Sequence, residues 1–276
     1  MNDKPSFEKI DDKIKDKKKS ESSFNITMDE SIHSSIENSM FVTTSNIETL
    51  LAKTQERFSR ALERRYQFES NLKPAQEFLL EHVNSKISLI IMYADLVGST
   101  NMSMMIPIDK MVTIIQGFSF EMSHIVHNYG GYALKYVGDA IIAFFPLDYN
   151  KSLICNKAIE CAQLMITIIK KGISPILYQY NYPELQVKIG IDVGESIIIQ
   201  YGHDERSHID ILGYSMNKSA KITSLTHPNT ITIGEDMYSN LNSKLKMEFK
   251  EIKTAIENWK YINKKTGQIY KIYSSK

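Results

Sequence analysis

The spacing of apolar residues changes near residue 86, and the change separates two kinds of predicted structure. Between residues 47 and 83, apolar positions alternate at intervals of four and three, which is typical of a helix with a short coiled-coil seam. Pro74 should break or kink this helix. Two interpretations stay open for the segment 47–85: a dimerising or signal-transmitting helix, or an amphipathic helix that packs on its own domain.

From residue 86 the pattern predicts alternating strands and helices. ISLIIMYADLV (87–97) predicts a buried strand, and GGYALKYVGDAIIAFFP (130–146) predicts two strands around a tight turn. VKIGIDVGESIIIQY (187–201) predicts a further strand pair that turns near Gly194. The remaining predicted elements are helices at 107–128, 150–171, 214–226 and 234–241, and strands in TITIG, KMEFKEIK and QIYKIY.

This order of elements predicts an α+β fold, a ferredoxin-like βαββαβ sandwich with additions, in a domain that spans residues 86–276. Residues 1–46 mix Lys with Asp and Glu and then become rich in Ser, Thr and Asn. Such a stretch has too little apolar surface to offset the chain entropy that folding costs, so we expect a disordered tail.

Composition excludes several classes of protein. With 33 Lys and Arg against 32 Asp and Glu, the net charge of +1 lacks the positive field of a general nucleic-acid binder. The two cysteines, Cys155 and Cys161, exclude a secreted disulfide scaffold and are expected to be free thiols. No stretch resembles a signal peptide or has the length to span a bilayer, so a cytoplasmic protein without a membrane segment is expected.

Two acidic residues are candidates for chemistry. Asp95 ends a strongly apolar strand, and Asp139 lies at the turn of an apolar hairpin. A carboxylate beside a buried strand costs free energy unless a positive group pairs with it. If the two strands are neighbours in the sheet, both carboxylates meet at one edge and favour a divalent cation such as Mg²⁺. Taken singly, each Asp also fits an ordinary turn or cap.

Three segments resemble signature segments of the class III nucleotidyl cyclases, in that family's order: YADLVGST (93–100), GGYALKYVGDAIIAFF (130–145) and DILGYSMNKSAK (210–221). The resemblance covers about residues 86–273. It implies the ferredoxin-like cyclase fold and a homodimer with two active sites shared between the catalytic domains. The implied reaction is attack of the ribose 3′-hydroxyl on the α-phosphorus, which releases pyrophosphate and a 3′,5′-cyclic nucleotide.

The resemblance also implies a metal site. Asp95 and Asp139 match the family's two metal-binding aspartates, and the backbone carbonyl of Leu96 is expected to complete one site. Two Mg²⁺ or Mn²⁺ ions are implied per active site. One ion would lower the pKa of the 3′-hydroxyl and the other would neutralise the triphosphate.

The resemblance also implies that two residues, Lys135 and Asp210, select the base of the nucleotide. Lys135 matches the position at which a lysine reads adenine, and Asp210 matches its partner in base recognition. A Lys can donate to the adenine ring nitrogen, and an Asp can accept from the exocyclic amine. Guanylate-type members typically place other residues, such as Glu and Cys, at these positions, so the pair favours ATP as the substrate.

The segment 210–221 carries the remaining implied roles. Asn217 matches the asparagine that orients the ribose. Lys221 stands where the family usually has an arginine that stabilises the transition state, and Lys lacks the planar fork of Arg. Arg206 is a further candidate contact for the triphosphate. Individually, Lys218 and Lys221 could simply belong to a solvated helix face.

The leading hypothesis is therefore an adenylate cyclase that acts as a homodimer. The alternatives are a weakly active or inactive cyclase-like domain that binds nucleotide in a regulatory role, and a guanylate cyclase. The implied partners are ATP and a second copy of the chain, with no nucleic acid. An upstream signalling partner could act through the helix at 47–83.

Overall fold

The computed structural model describes residues 44–64, 68, 72–147, 149–202, 207–252 and 259–276. Residues 1–43 of the predicted disordered tail lie outside the described residues. The last three residues of that predicted tail, 44–46, belong to the first helix, which begins at Thr44. The other predicted elements from residue 86 onward can be compared with the structure directly.

The strands of the described chain form one sheet. In spatial order the strands are β2-β3-β1-β4-β6-β8-β7, with β5 paired to β4. The pairing of β4 with β6 is parallel and every other pairing is antiparallel. The strands are β1 Lys86–Leu96, β2 Tyr132–Val137, β3 Ala140–Pro146, β4 Val187–Tyr201, β5 His208–Gly213, β6 Ile231–Gly234, β7 Phe249–Ile252 and β8 Ile272–Ser275.

Helices cover both faces of this sheet. They are α1 Thr44–Arg64, α2 Lys73–Glu81, α3 Ser99–Met105, α4 Ile108–Asn128, α5 Lys151–Thr167, α6 Ser174–Gln179, α7 Tyr214–Leu225, α8 Glu235–Asn240 and α9 Ser243–Lys246. A π-helical segment, Ile168–Ile173, joins α5 to α6. The path β2-β3-β1-β4, with β1 in the centre, is the sheet order of a ferredoxin-like βαββαβ unit, so the predicted α+β fold is confirmed.

Strand β1 is apolar along its length because both of its faces are covered. Ile90 and Met92 belong to the core cluster on one side, whereas Leu89 and Ile91 belong to the cluster on the other side. All four side chains have no more than 1% of their surface exposed. The continuous apolar run in the sequence therefore reports a central strand buried on both faces.

The predicted turn near Gly194 is wrong. β4 runs straight through Gly194, which pairs with Leu89, and the strand stays paired with β1 from Val187 to Ile197. The glycine has a different role, because a Cβ at this position would lie 3.3 Å from Ser215 Cβ. Gly194 thus lets the start of α7 approach the sheet, while the unbroken partner strand keeps β4 extended.

The segment predicted as one helix is two helices, and Pro74 lies in the first turn of the second helix, α2. Helix α1 packs on the domain that follows it. Phe58 is fully buried against α4, where a Cβ on Gly117 would lie 2.5 Å from the Phe58 ring. This packing is what the amphipathic interpretation expects, and the dimerising or signal-transmitting role stays a prediction.

One described helical stretch, Lys151–Gln179, is long and apolar enough to cross a membrane by length and composition alone. Many of its apolar side chains lie in the main core cluster of this domain, among them Ile159, Met165 and Ile169, each with 0% exposure. Packing inside the domain therefore accounts for its hydropathy. Cys155 and Cys161 on α5 are buried free thiols, and burial raises the pKa of Cys155 to about 12.

Candidate active site

Two aspartates lie at neighbouring backbone positions where β1 meets the hairpin β2-β3. Asp95, next to last in β1, pairs in register with Ala140 of β3. Asp139 directly precedes Ala140 in a tight turn, where Gly138 adopts a φ of 62° that favours glycine. The strands are neighbours, so the condition for the predicted metal site is met. Leu96 ends β1 and is buried, and the role of its carbonyl as a metal ligand stays a prediction.

The chemistry of these donors fits a divalent cation. Carboxylate oxygens are preferred ligands of Mg²⁺, which usually keeps waters and substrate phosphates in its coordination shell. Across 44–276, wherever the structure describes side chains, no cluster of three His, Cys, Asp or Glu groups forms a metal site. Asp95 and Asp139 would therefore hold the cation together with backbone, water and substrate oxygens.

Lys188 lies beside the candidate metal-binding carboxylate and was not predicted from the sequence. It lies opposite Asp95 in the β1–β4 register, and its ammonium is 2.9 Å from the Asp95 carboxylate. About a quarter of each side chain is exposed. The pairing places a positive charge beside the proposed metal-binding carboxylate. Only the register between two distant strands reveals it, because Lys188 by itself is an ordinary lysine near the start of a strand.

The predicted base-reading residues form an ion pair. Lys135 Nζ lies 2.5 Å from Asp210 Oδ2, which joins β2 to β5. A bulge in β2 between Ala133 and Lys135 shifts the register just before the lysine, and bulges of this kind re-aim side chains. The other Asp210 oxygen accepts a hydrogen bond from the backbone N–H of Ile211 at 2.8 Å. Burial, and secondly the charge of Asp210, raises the pKa of the nearby Tyr93.

Helix α7 carries the other two predicted residues. Asn217 is exposed, and Lys221, one turn further on, is partly exposed. Residues four apart lie on the same strip of a helix, so the two side chains share one side of α7. The backbone carbonyl of Asn217 accepts a hydrogen bond from Tyr261 at 3.2 Å. Arg206 lies outside the described residues, and its role stays a prediction.

The interpretation of Lys218 as part of a solvated helix face is wrong. Only 3% of the residue is exposed, and its ammonium lies 2.7 Å from Asp192 and 3.1 Å from Asp236. Asp192 itself has 0% exposure in the middle of β4. A signal was present in the sequence, because a carboxylate in the apolar strand IGIDVG needs a cationic partner.

A cavity of about 260 Å³ opens beside this buried pair. Its walls come from the middle of β4, the start of α7, Asp236 of α8, residues 262–265 and Tyr270. Lys218, Lys264 and Lys265 contribute cations to the lining, and Glu195 and Asp236 contribute carboxylates. The cavity therefore adjoins the helix that carries Asn217 and Lys221.

The structure therefore combines a central ferredoxin-like unit, two aspartates at neighbouring positions of β1 and the β2-β3 turn, and the Lys135–Asp210 ion pair. A sequence model described as the adenylate and guanylate cyclase catalytic domain matches residues 82–270, which is more than half of the chain. The chain belongs to this family.

Individual relatives differ in the nucleotide for which they are named. A cytidylate cyclase of Escherichia coli is 25% identical over 179 residues, which is 63% of this chain and 40% of that protein. A uridylate cyclase of Burkholderia cepacia is 27% identical over 179 residues, 64% of this chain and 76% of that protein. The chain thus spans less than half the length of the E. coli relative.

Solved structures of cyclases have the same fold. The adenylyl cyclase CyaB from P. aeruginosa superimposes with a TM-score of 0.55 at 22% identity, covering 70% of this chain and 95% of that one. At this level of identity the superposition establishes the fold, and it does not establish the substrate.

Proposed function

We propose that this chain is an adenylate cyclase that converts ATP to 3′,5′-cyclic AMP and pyrophosphate. The observation that carries the proposal is the ion pair between Lys135 and Asp210. A lysine ammonium only donates hydrogen bonds, and an ionised carboxylate only accepts them. Adenine offers a ring-nitrogen acceptor next to an exocyclic amine donor, so a single base edge can satisfy both groups.

A second candidate substrate is CTP. Cytosine presents the same pattern as adenine, an acceptor ring nitrogen beside an exocyclic amine, whereas guanine and uracil present a carbonyl in place of the amine. The relative named as a cytidylate cyclase supports this candidate. The Lys135–Asp210 pair therefore supports ATP and CTP over GTP and UTP, and the guanylate alternative has the weaker support.

The proposed reaction is an in-line displacement. The 3′-oxygen forms a bond to the α-phosphorus, the bond from that phosphorus to the bridging oxygen breaks, pyrophosphate leaves with the electron pair, and the hydroxyl proton passes to solvent. Asp95 and Asp139 would hold a divalent cation, which would lower the pKa of the 3′-hydroxyl and neutralise charge on the triphosphate. Asn217 orients the ribose, and Lys221 places a positive charge at the reacting phosphate.

The positions of the carboxylates and of the base-reading pair within one chain support an active site that two copies of the chain share. Within one chain Asp95 pairs with Lys188, whereas Lys135 pairs with Asp210, so the two sets form separate ion pairs. Asp95 is on β1 and Lys135 is on β2, and β3 lies between these two strands, which puts them about 10 Å apart across the sheet. We propose that the carboxylates of one copy face the base-reading pair of the other.

The test is cyclic product formation from ATP, CTP, GTP and UTP, each with Mg²⁺ and with Mn²⁺, at several protein concentrations. We expect cyclic AMP, with activity that rises faster than linearly with protein concentration. Asp139→Ala should abolish turnover, while Asp109→Ala, an exposed carboxylate at the start of α4, should leave it unchanged.

Each other outcome has a defined meaning. A preference for CTP would replace the first candidate with the second. A preference for GTP or UTP would show that the Lys135–Asp210 pair does not read the base as proposed. No cyclic product from a folded protein that still binds ATP with metal would favour the regulatory, nucleotide-binding alternative.

A further inference from the structure

Lys218 is a buried cation that none of the proposed catalytic roles uses. It lies between two carboxylates, Asp192 on β4 and Asp236 on α8, at 2.7 Å and 3.1 Å. Its ammonium also lies 3.8 Å from the centroid of the Tyr270 ring, at which distance a cation is attracted to the ring face. A lysine at this depth is retained only because its charge is fully compensated.

Tyr270 adds hydrogen bonds that connect the two carboxylates around Lys218. Its hydroxyl lies 2.9 Å from Asp192 Oδ1, to which it donates, and accepts a hydrogen bond from the backbone N–H of Asp236 at 2.8 Å. Burial raises the pKa of Asp192 to about 6, and the ammonium of Lys218 opposes that rise. Asp236, Tyr270 and Cys155 are the other titratable groups that face this carboxylate. The Lys218–Asp192 pair joins β4 and α7, and Asp236 and Tyr270 connect it to α8 and the C-terminal segment.

Two glycines in the surrounding backbone leave room for the Lys218–Asp192 pair and for helix α7. A Cβ at Gly234 would lie 2.5 Å from the Asp192 carboxylate, so only glycine fits there. A Cβ at Gly190 would lie 2.1 Å from the Thr223 hydroxyl, and Ser219 donates a hydrogen bond to the Ile91 carbonyl at 3.1 Å. The buried side of α7 is thus seated closely on the central strands.

Lys218 is also adjacent to the proposed catalytic positions. It directly follows Asn217 and comes three residues before Lys221 on the same helix. Because a helix turns by about 100° per residue, the rotation that buries Lys218 also sets the direction of the strip that carries the other two residues. An apolar side chain could fill the space at similar stability, since replacing a buried ion pair by apolar groups is often neutral.

We propose that Lys218 is a positioning residue, which, through Asp192 and Asp236, fixes the rotation of α7 and so places Asn217 and Lys221 for catalysis. The inference rests on the proposed cyclase function for its kinetic consequence. The seating of α7 itself does not depend on that function. Misplacement of catalytic groups by about 1 Å can cost on the order of 100-fold in rate.

The experiment uses the double variant Lys218→Met/Asp192→Asn, which removes both charges and retains similar volumes. We expect amide hydrogen exchange across α7 to become about 10-fold faster, with exchange in β1 unchanged. With the preferred nucleotide, kcat should fall roughly 10- to 100-fold while KM changes less than about 3-fold. The control is Ile222→Val, a fully buried apolar change on the same helix, which should leave kcat unchanged.

Unchanged exchange in α7 would overturn the proposal, whatever the activity. Faster exchange with kcat within about twofold of the wild type would also overturn it, because the pair would then support only the fold. If the wild-type protein forms no cyclic product from any nucleotide, the cyclase proposal fails, and the exchange measurement still decides whether Lys218 seats α7.

Discussion

A salt bridge that one substitution can remove holds helix α1 on the domain. Arg57 donates two hydrogen bonds to Glu121 of α4, from Nε at 2.6 Å and from Nη2 at 2.8 Å. The hydroxyl of Thr54 donates to the same carboxylate at 2.9 Å. Glu121 is only 1% exposed, so its charge depends on these donors. Arg57→Met removes the cation and keeps most of the apolar stem.

The structure sets the size of the effect. Removing one partner of a buried ion pair costs about 3–5 kcal/mol, because the other charge stays uncompensated. Arg57 is 23% exposed and Thr54 still donates, so we expect the lower end, about 3 kcal/mol. For a domain of this size that corresponds to a fall in melting temperature of roughly 6–12 °C.

The same helix provides a matched control. Arg60, about one turn further along, pairs with Glu56, and these side chains are 65% and 58% exposed. An exposed pair contributes about 0–1 kcal/mol, so Arg60→Met should shift the melting temperature by at most a few degrees. The double variant Arg57→Met/Glu121→Gln should recover at least about 1 kcal/mol relative to Arg57→Met alone.

The assay is thermal and urea unfolding of all variants at several protein concentrations. Because the contact lies within one chain, the loss in Arg57→Met should not depend on protein concentration. A loss no larger than that of Arg60→Met would refute the docking of α1 by this bridge. A loss that appears only at high concentration would favour a helix that pairs between chains.

Two further predictions concern the proposed active site, and a third concerns the buried carboxylate of Asp192. Lys221→Arg should equal or exceed the wild-type rate, because Arg adds a second donor at the phosphate, and a large loss in steady-state kinetics would show that Lys221 does not act there. Mixing Asp95→Ala chains with Lys135→Ala chains should restore activity, since each heterodimer keeps one complete site; verified heterodimers without activity would contradict the shared site. The raised pKa of Asp192 means that the folded protein binds a proton more readily than the unfolded chain, so wild-type protein should gain stability relative to Asp192→Asn as pH falls from about 6 to about 4. Urea unfolding at several pH values checks that sign, and a gain with rising pH would mean that the pairing with Lys218 outweighs burial.

Most of the longer strands and helices could be predicted from the sequence because each carries its own periodicity, whereas β5 and the short helices α3, α6 and α9 were not predicted. The run ISLIIMYADLV is apolar on both faces, and the structure buries both faces of β1. The two-residue turn at Gly138 and Asp139 lies between two apolar runs, and such a turn is visible locally. The three signature segments likewise lie within short stretches, so the family could be recognised without coordinates.

Other features depended on residues that are far apart in sequence. β4 continues through Gly194 because β1 offers an unbroken partner, and local sequence cannot distinguish that glycine from a turn. The apolar stripe of α1 looks the same whether another chain or its own domain covers it. Only the packing of Phe58 on α4 shows the surface that covers it in this structure.

The ion pairs show most clearly which features cannot be predicted from local sequence. The sequence by itself determined which residues carry charge, and it placed Asp95, Lys135 and Asp210 in segments of recognisable chemistry. The tertiary structure alone decided that Lys188 lies against Asp95, and that Lys218 is buried among carboxylates. The physical reason is that a charged residue becomes stable in the interior only when the fold brings an opposite charge to it, and that partner comes from another strand or helix.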